Sequence, residues 1–137
     1  MKKFKSILLV DDDEATNYLH RLYLEEWNYT DNIYTALNGQ EALDFLRSNK
    51  DFQNGRPSLI LLDINMPIMN GFEFMEAYEQ IEPQFKASVV VVMLTSSLHT
   101  SDQQKANELK DLSSFINKPL SREQMDKIAE QLEEISI

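Results

Sequence analysis

The chain has 137 residues, 42% of them hydrophobic, and sets 13 Lys and Arg against 23 Asp and Glu for a formal charge of −10. That length suits one well-buried domain, and an acid excess with no basic stripe argues against direct nucleic-acid binding, pointing instead to cations or a basic partner surface. Without cysteine neither disulfides nor thiolate metal sites can form; no long apolar run follows Met-Lys-Lys and none approaches the roughly 18 residues of a membrane span, so no membrane insertion and a cytoplasmic location are expected.

In chain order, Ser6 to Val10 (SILLV) is a short apolar run, expected to be a buried strand that delivers Asp11, Asp12 and Asp13 at its C-terminal end. After Glu14, the residues Ala15, Tyr18, Leu19, Leu22 and Tyr23 recur at three- and four-residue spacing and predict an amphipathic helix ending near Trp27 and Asn28. Asp31 to Ala36 (DNIYTA) has the length and β-branched content of a strand. A helix from about Gly39 to Arg47 follows, with Ala42, Leu43 and Leu46 on its inner face. Residues 48–57 (SNKDFQNGRP) are rich in turn formers and read as an exposed loop.

Leu59, Ile60, Leu61 and Leu62 read as a strand buried on both faces, and Asp63 at its end is an ionisable group that must be used or masked. Gly71, Phe74, Met75 and Tyr78 outline the next helix. Ser88 to Leu94 (SVVVVML) is strongly β-prone and is ended by Thr95 and Ser96. The segment 101–109 is expected to be helical but offers little beyond Ala106 and Leu109 to bury, so it should be less firmly held. Ser114 to Asn117 forms a last strand, followed by Lys118-Pro119 and a helix with Met125, Ile128, Ala129 and Leu132 on one face. Ser121 with Glu123 and Gln124 resembles a capping arrangement at its start.

Five strand–helix pairs in strict alternation imply an α/β fold: a five-stranded parallel sheet with helices on both faces. Ligands of such sheets gather at the C-terminal strand ends. There the sequence places Asp11, Asp12 and Asp13, then Asp63, Thr95 and Lys118. If the first and third strands are neighbours, several carboxylates converge and cannot all stay ionised without a cation. Oxygen donors suit Mg²⁺ better than zinc, and one carboxylate, Asp63, can then act as a nucleophile towards phosphorus.

VDDD at 10–13, LLDINMPIMNG at 61–71, LTSS at 94–97 and INKPL at 116–120 resemble the signature set of bacterial response-regulator receiver domains, across essentially the whole chain. The resemblance implies a flavodoxin-like (βα)5 topology with strand order 2-1-3-4-5. It implies that Asp63 is the phosphoacceptor, and that Asp11 and Asp12 are the acidic pair, with Asp12 the direct Mg²⁺ ligand and the backbone carbonyl of Asn65 completing the site. Thr95 matches the switch hydroxyl, Lys118 the lysine that contacts the phosphoryl group, and Phe115 the aromatic switch position. The Lys118–Pro119 bond is expected to be cis. Asp13, a third consecutive acid, stands at a variable family position and is not expected to be a ligand.

The function so implied is that of a stand-alone receiver over residues 1–137 with no output domain. It would take a phosphoryl group from a sensor histidine kinase or phosphotransfer protein, with Mg²⁺, and change its affinity for an unknown downstream protein. It would promote its own phosphorylation and slow dephosphorylation without being an enzyme of multiple turnover. The downstream surface would be made by the fourth helix, fifth strand and fifth helix. Asn65 and Ser97 match positions that tune phosphoryl lifetime.

Two alternatives stay open: a receiver-like interaction module that is never phosphorylated, and a haloacid-dehalogenase-like phosphatase. The second family places an acid two residues after its nucleophile, where this chain has Asn65. A dinucleotide binder is disfavoured by 3 Gly and the lack of G-x-G-x-x-G. His20 and His99 read as surface or partly packed residues, and Met66, Met69 and Met75 as packing.

Overall fold

A computed structural model describes residues 4–48, 57–87, 90–95 and 100–136. The strands β1 (Ile7–Val10), β2 (Ile33–Ala36), β3 (Leu59–Asp63), β4 (Val90–Thr95) and β5 (Leu112–Asn117) alternate with the helices α1 (Glu14–Glu26), α2 (Gly39–Ser48), α3 (Gly71–Gln80), α4 (Thr100–Asn107) and α5 (Arg122–Ser136). All five strands run parallel in one sheet of order β2-β1-β3-β4-β5, as expected.

β1 and β3 lie inside the sheet and are buried at every position, which is why both are aliphatic on both faces. Successive side chains point to opposite faces. Leu8, Val10, Ile60 and Leu62 join Ala42, Leu43 and Leu46 of α2 and Phe74, Met75 and Tyr78 of α3 in one core. Ile7, Leu9, Leu59 and Leu61 join Leu24 of α1 and Met125, Ile128 and Ala129 of α5 in the other. Among the described residues no helix is long and apolar enough to cross a membrane.

The helices start where the local chemistry provides acceptors for free amides. Asp13 caps α1, accepting from the Ala15 N–H and the Thr16 hydroxyl, each at 3.0 Å. Asn70 and Glu73 form a reciprocal capping box on α3. At α5 the expected arrangement is present with Gln124 as the partner: its N–H donates to Ser121 Oγ at 3.2 Å, and the Ser121 N–H donates to Gln124 Oε1 at 3.0 Å.

α1 departs from expectation. Tyr18, Leu19 and Leu22 are 62%, 47% and 42% exposed, whereas Asn17, His20 and Leu24 are buried. The Asp13 cap and a bond from the Asn17 amide to the Asp11 carbonyl fix the helix about its axis, and they turn a different set of three- and four-spaced residues inward. His20, read as surface or partly packed, is therefore buried at 6% exposure.

Strand ends shift less. β5 begins at Leu112 rather than Ser114, because pairing with β4 across an irregularity between Val91 and Val92 draws Leu112 and Ser113 into the sheet. β2 begins at Ile33. Thr95 belongs to β4, in register with Asn117, instead of following it. Ser88, Val89 and residues 49–56 of the predicted loop lie outside the described residues.

Candidate functional site

Register positions the site. Val10 pairs with Leu62, Asp63 with Leu94, and Thr95 with Asn117, so the C-terminal ends of β1, β3, β4 and β5 lie side by side. The residues just past or at these ends are Asp11, Asp12, Asp63, Thr95 and Lys118. One carboxylate oxygen from each of Asp11, Asp12 and Asp63 lies within 4.8 Å of the others. Asp11 and Asp63 are buried and Asp12 is exposed, which leaves the cluster open on one side.

Lys118 bridges the pair below. Its Nζ donates to Asp11 Oδ2 at 2.7 Å and stands 3.8 Å from Asp63 Oδ1. The Lys118–Pro119 peptide is cis, as expected. Asp11 is held from several directions: its N–H donates to the Ala36 carbonyl, its Oδ1 accepts from the Asp13 N–H at 3.0 Å, and its own carbonyl accepts from Asn17 Nδ2 at 2.9 Å.

Burial pushes the Asp63 carboxyl up to about 6, with repulsion from Asp11 adding to it, while the Lys118 ammonium and the Asn65 N–H pull the other way. Burial also holds His20 below its ordinary value, with the positive Lys118 reinforcing and Asp11 opposing that effect.

Three carboxylates, two of them beside one ammonium, leave negative charge in a part-buried cluster, and every carboxylate donor is oxygen. This donor set fits a hard divalent cation such as Mg²⁺ and lacks the His or Cys that zinc favours. A free edge for an incoming group remains on the Asp12 side.

The wall behind Asp63 is tight. A Cβ on Gly71 would meet the Asp63 carbonyl oxygen at 2.7 Å and Ile64 Cα at 2.8 Å, so only glycine lets the start of α3 lie against β3. The intervening loop places Ile68 at φ 68°, 81% exposed.

Of the residues singled out in the sequence, the structure brings Asp11, Asp12, Asp63 and Lys118 together, and Asn65 reaches Asp63 through its N–H. Thr95 occupies the neighbouring strand end, but its side chain lies outside what the structure describes, as do Ser97 and His99. Phe115 of β5 is not in the cluster; it pairs with Met93 of β4 and is half-buried against the core on the α2–α3 face. Met66 and Met75 are core residues and Met69 packs against them, as expected. Asn17 was not legible as a site residue. Its signal is the 17, 20, 24 spacing, which matches a helix face as well as the apolar set does.

Residues 7–130 match the family model of the response regulator receiver domain. The chain belongs to that family. Receiver domains bind Mg²⁺ at an acidic pocket and are phosphorylated by histidine kinases or phosphotransfer proteins. This receiver domain is 31% identical to the probable methanogenesis regulatory protein FilR2 of Methanothrix harundinacea, over 93% of the chain and 81% of that protein. It is 30% identical to the response regulator Rcp1 of Synechocystis, over 94% of the chain and 86% of that protein. Among solved structures, a two-component response regulator from Cytophaga hutchinsonii superposes with a TM-score of 0.87 at 28% identity, covering 97% of this chain and 99% of that one. CheY4 of Vibrio cholerae superposes with a TM-score of 0.73 at 27% identity, over 93% and 98% of the two chains. The family match does not favour the haloacid-dehalogenase-like alternative.

Proposed function

We propose that this receiver domain works as a stand-alone response regulator, in the cytoplasm, whose Asp63 accepts a phosphoryl group from a phosphohistidine on a sensor kinase or phosphotransfer protein. The observation that carries the reading is the convergence of Asp11, Asp12 and Asp63 oxygens within 4.8 Å, with Lys118 Nζ reaching both buried acids. The extent of the match to FilR2 and Rcp1, 81% and 86% of their lengths, supports a unit of this size.

In this reading an Asp63 carboxylate oxygen attacks phosphorus in line, the P–N bond to the donor imidazole breaks, and the imidazole leaves with a proton. Asp11, Asp12, Asp63 and the backbone carbonyl of Asn65 would hold Mg²⁺, which when bound offsets charge on the phosphoryl oxygens. Lys118 Nζ, 2.7 Å from Asp11 and 3.8 Å from Asp63, would be within reach of a phosphoryl oxygen carried on Asp63. Thr95 would then donate its hydroxyl to the phosphoryl group and Phe115 would turn inward. That movement would alter the α4–β5–α5 face seen by a downstream protein.

Exposed Tyr18, Leu19 and Leu22, on the helix that begins directly after the acids, support a protein donor as well as a small one. The test is intact mass after incubation with Mg²⁺ and acetyl phosphate, beside Asp63→Asn. The expected result is one phosphoryl adduct that needs both Mg²⁺ and Asp63. No adduct, together with failure of beryllofluoride to bind the folded protein, would leave an unphosphorylated interaction module as the better account.

A further inference from the structure

Asn17 is buried at 4% exposure, one turn inside a helix that leaves three large apolar residues in water. Its Nδ2 donates to the Asp11 main-chain carbonyl at 2.9 Å, while its Oδ1, also buried, has no hydrogen-bond partner among the described residues. The carbonyl acceptor fixes which amide atom faces Asp11, since the reverse orientation would set oxygen against oxygen. A buried amide bonded on one side only by the described residues is a poor choice for stability alone, because burial of its oxygen is not offset by a protein partner there.

What the nitrogen does is specific to Asp12. The peptide before Asp12 is anchored through the Asp11 carbonyl by Asn17. The peptide after Asp12 is anchored through the Asp13 N–H by the Asp11 carboxylate at 3.0 Å. Asp12 itself is exposed, and its direction is set by these two peptide planes. The Asn17 N–H closes the loop by donating to the Asp13 carbonyl at 3.1 Å.

We propose that Asn17 is a positioning residue for the metal site: its carboxamide fixes the β1–α1 turn so that the exposed Asp12 carboxylate points at the same place as Asp11 and Asp63. The proposal rests on the receiver reading above and adds a residue that touches neither metal nor phosphoryl group. It also accounts for the orientation of α1, which buries Asn17 and His20 and leaves Tyr18, Leu19 and Leu22 outside.

The test is Mg²⁺ affinity by calorimetry, with no phosphodonor, for the wild type, Asn17→Leu, Asn17→Ala and Leu24→Ala. Leucine keeps the branched outline of Asn17 without the donor, alanine serves if the bulkier leucine does not fold, and Leu24 shares the buried face but packs in the apolar core with Ile7 and Leu9. The expected result is Mg²⁺ binding weakened about 10-fold by either Asn17 substitution and unchanged by Leu24→Ala. Unfolding of the metal-free protein is expected to show the opposite ranking, with Leu24→Ala the least stable. In the metal-free Asn17 variants the Asp13 amide should also exchange faster. Mg²⁺ affinity within twofold of wild type in a folded Asn17 variant, or an equal loss in Leu24→Ala, would overturn the positioning role. A wild type that binds no Mg²⁺ would overturn the receiver reading itself and this role with it.

Discussion

α1 and α2 flank neighbouring strands and both follow a strand end, yet they use their apolar residues in opposite ways. α2 buries Ala42, Leu43 and Leu46, the face its sequence period predicts. α1 buries Asn17, His20 and Leu24 and leaves Tyr18, Leu19 and Leu22 outside. The difference follows from what each helix adjoins. α2 only has to cover β-sheet, whereas α1 grows out of the acidic turn and is oriented by polar bonds to Asp11 and Asp13. The helix beside the acidic cluster leaves apolar residues in water, whereas α2 buries the ones it has.

Substitutions can sharpen that contrast. The largest effect is expected for Leu46→Ala in α2: a fully buried side chain is lost and stability should fall by about 3 kcal/mol, read as the shift in denaturation midpoint. A change under about 1 kcal/mol would mean that α2 is not the stabilising partner.

Next comes Asp63→Asn in metal-free buffer. Asp63 titrates at about 6 in the folded protein against 3.8 when unfolded. Above both values it is charged in both states, and the folded state carries the penalty; below both it is neutral in both states and there is none. The raised value thus costs stability at neutral pH and the cost fades as pH falls through 6 towards 4. At about 1.4 kcal/mol per pH unit, the variant should be more stable than wild type by up to about 3 kcal/mol at pH 7.5. A difference that stays constant from pH 4 to 8 would break the claim that the acidic strand end stores destabilisation.

The smallest effect on stability belongs to α1. Leu22→Ala removes an exposed side chain and should move stability by less than about 0.5 kcal/mol. Phosphorylation by acetyl phosphate should be unaltered as well, while transfer from a protein phosphohistidine should slow. A stability loss as large as that of Leu46→Ala would erase the comparison.

The parts of the fold legible in sequence were those where one physical signal dominates. β1 and β3 read clearly because strands covered on both faces must be apolar throughout. α2 and α3 read clearly because nothing competes with their apolar period. At the site, Asp11, Asp12, Asp63 and Lys118 were legible as strand-end residues, since parallel topology brings such ends together regardless of loop detail. The inward face of α1 was not legible: two sets of residues share helical spacing, and the choice between them lies in a bond from Asn17 to a backbone carbonyl six residues earlier. The start of β5 was hidden for a similar reason. Leu112 and Ser113 have little strand character of their own and are extended by pairing with β4 across a register shift.

Gly71 has a mechanical consequence for the same site. Its backbone lies close enough to the Asp63 carbonyl and Ile64 Cα that even one methyl group would not fit, and its N–H is bonded to the Ile64 carbonyl at 2.7 Å. The end of β3 is therefore an anvil braced by α3, with no room to recoil towards that helix if load were placed on the Asp63 side chain. Any displacement of the Asp63 side chain would have to be taken up on the open side, towards Asp11 and Lys118.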